Sequence, residues 1–195
     1  MRKLIVVLLA SASLWVCAGA QNITVTPATG MSPTTFLNTY LMGGGVYIFN
    51  AKYNNTQSPI TAPSVGTFQS NGYTGLSMQN GVIMTTGDIN LAVGPNTGTS
   101  SASPISSYYS DSEMELVATD DITSCSTFDF DFVTLSGYVS FNYTFASEEY
   151  PEYVCSQYND VFAFFLTGPD PVTGEEVTRN IAIIPGTDTV NPPNG

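Results

Sequence analysis

Residues 138–167, YVSFNYTFASEEYPEYVCSQYNDVFAFFLT, decide the fold class of this chain. In 138–145, Val139, Phe141, Tyr143 and Phe145 alternate with Ser140, Asn142 and Thr144. Successive side chains of a strand point to opposite faces, so the pattern predicts a strand with one core face and one wet face. In 160–167 both faces are apolar, with Val161, Ala163 and Phe165 against Phe162, Phe164 and Leu166. That predicts a central strand covered on both sides. Between the two runs lies a short acidic, tyrosine-rich loop that contains Cys155.

The same periodicity continues outward. In STFDFDF (126–132), Phe128, Phe130 and Phe132 point one way and Asp129 and Asp131 the other. NITVT (22–26), VYIFN (46–50), GTFQ (66–69), GLSMQ (75–79), GVIMTTG (81–87) and TRNIAIIPG (178–186) are further strand segments. Residues 33–42 predict a short helix, with Ser32 as N-cap and Pro33 at the first helical position, ended by Gly43-Gly44-Gly45. Residues 51–64 read as a polar loop. Residues 88–112 form a long Gly/Ser/Asn/Pro loop of the kind that is usually functional, mobile or pinned by an ion. There is no sustained helical periodicity and no internal repeat. The expectation is an all-β fold, an antiparallel β-sandwich of jelly-roll type, with at most one short N-terminal helix.

The N-terminus sets the compartment. Arg2 and Lys3 precede an apolar stretch from Leu4 to Val16, and Ala18-Gly19-Ala20 is a cleavage site of A-x-A form. Residues 1–20 read as a secretory signal peptide, leaving 21–195 as one domain. The apolar stretch is short of the ~20 residues a membrane span needs, and Ser11 and Ser13 interrupt it. Cys17 follows Trp15 and Val16, not the small residue that lipidation requires. No later run is long enough to span a membrane.

After cleavage, Lys52 and Arg179 remain as the basic side chains against 16 acidic ones. Such a surface repels nucleic acid and anionic lipid, because binding phosphate needs Lys and Arg. The chain has no histidine. That excludes His general acid–base chemistry, Ser-His-Asp triads and His-ligated zinc. Abundant oxygen ligands suit calcium better than a transition metal.

Cys125 and Cys155 remain in the mature chain, and an even pair in an exported protein reads as a disulfide. It would close a loop of about 31 residues, worth roughly 3–4 kcal/mol of denatured-state entropy. The other reading is two buried free thiols. A redox pair would sit in a CxxC, which is absent.

FNYTFASEEYPEYVCSQYNDVFAFFLTGP, with GGGVYIFNAKY and GVIMTTGD upstream and NIAIIPGT downstream, resembles the choice-of-anchor L domain family across nearly all of 22–187. The SEEYPEY…NDVFAFF block is its most specific part. The resemblance implies an extracellular β-rich module without known catalytic residues, of the type found in exported surface proteins of Bacteroidota-type bacteria. It also implies further strands after the IIPGT segment and an anchor beyond them. On that reading the domain is incomplete at its C-terminal end, and attachment runs through regions missing from this sequence.

One site stands out. Ser147, Glu148, Glu149, Glu152, Asn159 and Asp160 gather at the mouths of two neighbouring predicted strands. Close carboxylates repel unless a cation, protons or donors offset them. Calcium takes about six to eight oxygens in flexible geometry. Glu148, Glu149 and Asp160 are the expected ligands, with Asp120 and Asp121 as secondary candidates. The competing reading is a solvated acidic loop whose carboxylates cap backbone amides.

Tyr150, Tyr153 and Tyr158 offer a stacking platform for sugars, or simply pack the loop on the sheet. Paired carboxylates raise glycoside hydrolysis, for which Glu149 with Asp160 is the better pair. The sequons at Asn22, Asn54 and Asn142 matter only in a glycosylating host. The expected function is a non-catalytic, secreted or cell-surface module for adhesion or display, stabilised by calcium, with an unidentified glycan or protein as ligand. A carbohydrate-binding module is the alternative, and a glycoside hydrolase the weaker one.

Overall fold

A computed structural model describes residues 23–71, 76, 78–94, 103, 109–118, 122, 124–146 and 160–182. These residues form seven strands and one α-helix, and every strand pairing is antiparallel. The fold is all-β. Its strands sort into three small sheets: β1 (Ile23–Pro27), β3 (Val65–Ser70) and β4 (Asn80–Met84) in the order β1-β3-β4; β2 (Val46–Tyr53) with β5 (Phe128–Thr134); and β6 (Phe165–Pro169) with β7 (Glu176–Asn180).

The helix α1 (Pro33–Tyr40) forms where the sequence places it. The Ser32 hydroxyl accepts from the Thr35 amide, and Pro33 occupies the first turn, where its missing N–H costs nothing. Its buried face, Phe36 and Leu37, joins Ile48, Ala51, Tyr53, Ile60 and Val65 in the core, with Phe128, Phe130 and Phe132 packed against them. The Phe128 ring lies 6.0 Å from Phe36 and 5.1 Å from Tyr53. The alternation of STFDFDF is thus realised: its phenylalanines turn to the core, while Asp129 and Asp131 are exposed.

Strand β2 runs to Tyr53, into the stretch read as polar loop, because a bulge keeps Ala51 and Tyr53 pointing inward. Asn50 adopts φ 54° at the bulge and donates its amide to Asp131 at 2.7 Å. Asparagine tolerates this left-handed conformation. The neighbouring Ala51 amide donates to the Thr34 hydroxyl at 3.2 Å, tying strand to helix. Below the sheet, the buried Tyr53 hydroxyl lies 2.5 Å from the Ser64 and 2.9 Å from the Ser126 hydroxyl oxygen. Gly66 lies where β3 passes β1, and a Cβ there would collide with the Thr26 carbonyl and the Ile89 side chain. Beyond β4, Asp88 caps a 3₁₀ turn at Ile89–Val93 whose Ile89 is fully buried.

Three expectations need correction. Residues 138–146 form no regular strand, and Val139, Phe141, Tyr143 and Phe145 are 44%, 48%, 48% and 46% exposed instead of facing the core. Residues 160–164 are not in a strand either, and among the described residues β6 is not a covered central strand: it pairs there only with β7, and Leu166 is exposed. Within GLSMQ, the described residues Leu76, Met78 and Gln79 lie outside any strand. Alternation shows which side chains share a face, but a strand also needs a partner for its backbone groups. The described residues build three small sheets, and no closed sandwich is seen among them.

The two aromatic runs still meet through their rings. Phe141 contacts Phe164 at 4.8 Å, Tyr143 contacts Phe164 at 5.1 Å and Phe162 at 5.3 Å, and Phe145 stacks on Phe162 at 4.6 Å. The contacts step forward along one segment and backward along the other. The segments therefore lie side by side in antiparallel order, held by offset and edge-on ring contacts.

Candidate functional site

The ring ladder brings together the two ends of the acidic loop, Ala146 on one side and Asp160 on the other. Asp160 is exposed at the loop's exit. Ser147, Glu148, Glu149, Tyr150, Glu152, Tyr153, Cys155, Tyr158 and Asn159 lie outside the described residues, as do Asp120 and Asp121. Among the described residues no group of three or more acidic or cysteine side chains is arranged to hold a metal ion.

Cys125 is buried and forms no disulfide among the described residues. Burial pushes that thiol up from its ordinary pKa, and Asp111 and Asp129 nearby add to the effect. Its expected partner, Cys155, lies outside the described residues. The segment carrying Cys125 is fixed at both ends. Ser124 donates to the Thr86 carbonyl at 3.2 Å, and the Thr127 amide donates to Asn54 Oδ1 at 2.9 Å. Asn54 also donates its own amide to the Thr127 carbonyl at 3.1 Å, extending the β2–β5 ladder by one step. The Asn54 sequon side chain is thereby committed to a structural bond.

The sequence reading missed a second acidic surface, inside the long loop of residues 88–112 and just beyond it. Asn55, Tyr109, Asp111, Glu113 and Glu115 line an open depression there. Asp111 accepts from the amides of Glu113 at 3.0 Å and Met114 at 3.2 Å, and from the Tyr109 hydroxyl at 3.3 Å. Glu115 accepts from the Ser110 hydroxyl. These carboxylates cap their own turn. Asp129, opposite Lys52 in the β2–β5 register, has its pKa raised by partial burial and by Asp111, and lowered in part by Lys52. The signal that could have found this surface is the Asp111-x-Glu113 spacing, which places an acceptor under two successive amides.

A third feature is a groove between the end of α1 and the β1–β3–β4 sheet, lined by Thr, Gln and Asn residues together with Tyr40, Phe68 and Gly81. No helix among the described residues is long and apolar enough to cross a membrane.

The sequence profile of the Choice-of-anchor L domain matches residues 23–193, nearly the whole chain. The chain belongs to the Choice-of-anchor L domain family. The match takes in the helix and the seven strands of the described residues, the acidic loop, Cys125 and Cys155. Comparison with curated proteins and with solved structures finds no match. Choice-of-anchor L is not a known enzyme family, and its name associates the domain with attachment at a surface.

Proposed function

We propose that this choice-of-anchor L domain is a non-catalytic, exported module displayed at the cell surface for adhesion. The observation that carries the reading is the family match over residues 23–193. Three sequence features support it. Residues 1–20 have the form of a signal peptide, the mature chain is strongly acidic, and the absence of histidine removes the commonest general acid–base group.

The acidic loop is the ion site of this reading. Glu148, Glu149 and Asp160 would supply calcium ligands, with Asp120 and Asp121 as further oxygen donors. The ring ladder supports the idea by holding Phe145 and Phe162, which flank the loop, against each other. A Cys125–Cys155 disulfide would close the same region from the β5 side. The domain spans 21–195 in this reading.

Expression of the tagged protein in a bacterial host, followed by protease shaving of intact cells, tests the compartment. Loss of the tag signal from intact cells supports display. A protein protected until lysis, with residues 1–20 retained, sinks the proposal.

A further inference from the structure

The groove beside Tyr40 is lined by uncharged side chains, most of them polar. Register brings its lining together: Thr24 is opposite Gln69 and Gln69 opposite Asn80, in one row across three strands. Thr26 opposite Thr67 forms the next row on the same face. The groove has a volume of about 290 Å³, at the small end of ligand sites, which run from about 300 to 1,000 Å³. Tyr40, at the last turn of α1, forms its wall. The Tyr40 ring is 48% exposed and is held on its inner side by Phe36, at 5.4 Å between ring centres.

None of these side chains is charged, although the chain carries 16 acids. Among the described residues, the amides of Gln69 and Asn80 and the hydroxyls of Thr26, Thr67 and Tyr40 make no side-chain hydrogen bond. The Thr24 hydroxyl makes long ones, at 3.4 Å to the Gln69 carbonyl and 3.5 Å from Asn71. Each free amide offers two donors and an acceptor, and each hydroxyl offers both functions. A flat ring beside such an array matches a ligand with an apolar C–H face and a rim of hydroxyls. A charged ligand would find no counter-charge, and a purely apolar one would bury free amides at a cost.

We propose that this groove binds one neutral pyranose unit of a glycan, with Tyr40 stacked on the C–H face and Gln69, Asn80 and the threonines bonding its hydroxyls. The inference rests on the adhesion reading and supplies its ligand class. It differs from the tyrosine loop of 150–158 in both place and residues. Loss of glycan binding would leave surface display intact, and failed display would leave binding by the purified protein measurable.

The test is a titration of the purified full chain with neutral oligosaccharides of glucose, xylose and mannose, with uronate oligosaccharides as charged controls, read by amide chemical shifts and calorimetry. The expected result is binding of at least one neutral series, with shifts centred on residues 24–26, 67–69 and 80–81. Tyr40→Ala should weaken it about tenfold, Asn80→Ala or Gln69→Ala about fivefold, and Tyr40→Phe within about twofold. Gln69 and Asn80 are exposed, so their variants keep the test decisive if Tyr40→Ala fails to fold. No neutral binding, binding of uronates alone, or binding lost in Tyr150→Ala and Tyr153→Ala but kept in Asn80→Ala would each overturn the proposal.

Discussion

Asn38 pairs with both backbone groups of Ile48: its Nδ2 donates to the Ile48 carbonyl at 2.8 Å, and its Oδ1 accepts from the Ile48 amide at 3.1 Å. Ile48 lies opposite Phe132 in the β2–β5 ladder at a position whose N–H and C=O point away from β5. A helix side chain thus takes the place of a neighbouring strand and covers an edge that would otherwise template aggregation. The second Nδ2 hydrogen bonds the Thr34 carbonyl at 3.0 Å, which fixes the amide's orientation.

Replacing Asn38 by alanine strands two partly buried backbone groups, and the expected loss is about 1–3 kcal/mol of unfolding free energy. Asn38→Asp keeps the acceptor for the Ile48 amide but turns an anion on the Ile48 carbonyl. It should be less stable than wild type at pH 7 and recover towards pH 3 as the carboxyl protonates. Urea melts of the three proteins at both pH values check this, and equal midpoints would show that packing alone holds α1 to β2.

The Tyr53 hydroxyl is the second polar hinge of the core. Tyr53→Phe leaves the Ser64 hydroxyl, 0% exposed, without its partner, at an expected cost of about 1–3 kcal/mol. In Tyr53→Phe/Ser64→Ala neither group is stranded, so much of that loss should return. A double-mutant cycle measures the difference, and additive losses would mean that the two hydroxyls act independently.

How much of this was legible in the sequence depends on whether a feature is local. The cap at Ser32 and the inward phenylalanines of β5 are local patterns, and both form as read. The strand expected at 138–145 fails because alternation is satisfied by a ring ladder as well as by a backbone ladder. Only the second leaves hydrogen bonds, and only a third layer would bury rings that are nearly half exposed. The groove was illegible for another reason. Thr24, Gln69 and Asn80 are unremarkable polar residues in three separate segments, and only register makes them a row. Of the acidic loop, the structure supplies its two ends.

The β6–β7 hairpin has a titrating clasp. Asp170 accepts from the amides of Val172 at 2.8 Å and Thr173 at 3.1 Å and pairs with Arg179. Those backbone bonds, then the Arg179 charge, hold its carboxyl below the ordinary range. A depressed acid contributes stability above its unfolded pKa and loses it as pH falls through the folded one. Amide exchange at Val172 and Thr173 should therefore be slow at neutral pH, relative to intrinsic rates, and speed up below the ordinary carboxylate range. Asp170→Ala should show the fast behaviour at all pH values.

The disulfide has an unambiguous chemical readout. The thiol of Cys125 is buried with its pKa pushed up, so even a free thiol there would resist alkylation in the native state. The discriminating condition is the unfolded one. In denaturant without reductant, protein exported to an oxidising compartment should take up no alkylating reagent at Cys125 or Cys155, and its digest should contain a peptide linking the two. Cys125→Ser should then lose roughly 3–4 kcal/mol. Alkylation of Cys125 in denaturant alone would show that no bridge forms.

The ring ladder and the ion site make a joint prediction, because the ladder joins the segments that lead into and out of the loop. Phe162 touches Tyr143 at 5.3 Å and Phe145 at 4.6 Å, so its loss frees the end of the ladder next to the loop. If Glu148, Glu149 and Asp160 share a calcium ion, the oxidised chain should melt several degrees higher with calcium at ~100 times its dissociation constant than with chelator. Magnesium, which demands tighter octahedral geometry, should do less. Phe162→Ala should erase most of that increment while leaving a cooperative melt in chelator, since the core around Phe36, Ile48 and Val65 does not involve Phe162. A wild-type melt indifferent to calcium would remove the ion and leave the carboxylates as a solvated loop. A calcium increment unchanged in Phe162→Ala would place the ion away from the ladder.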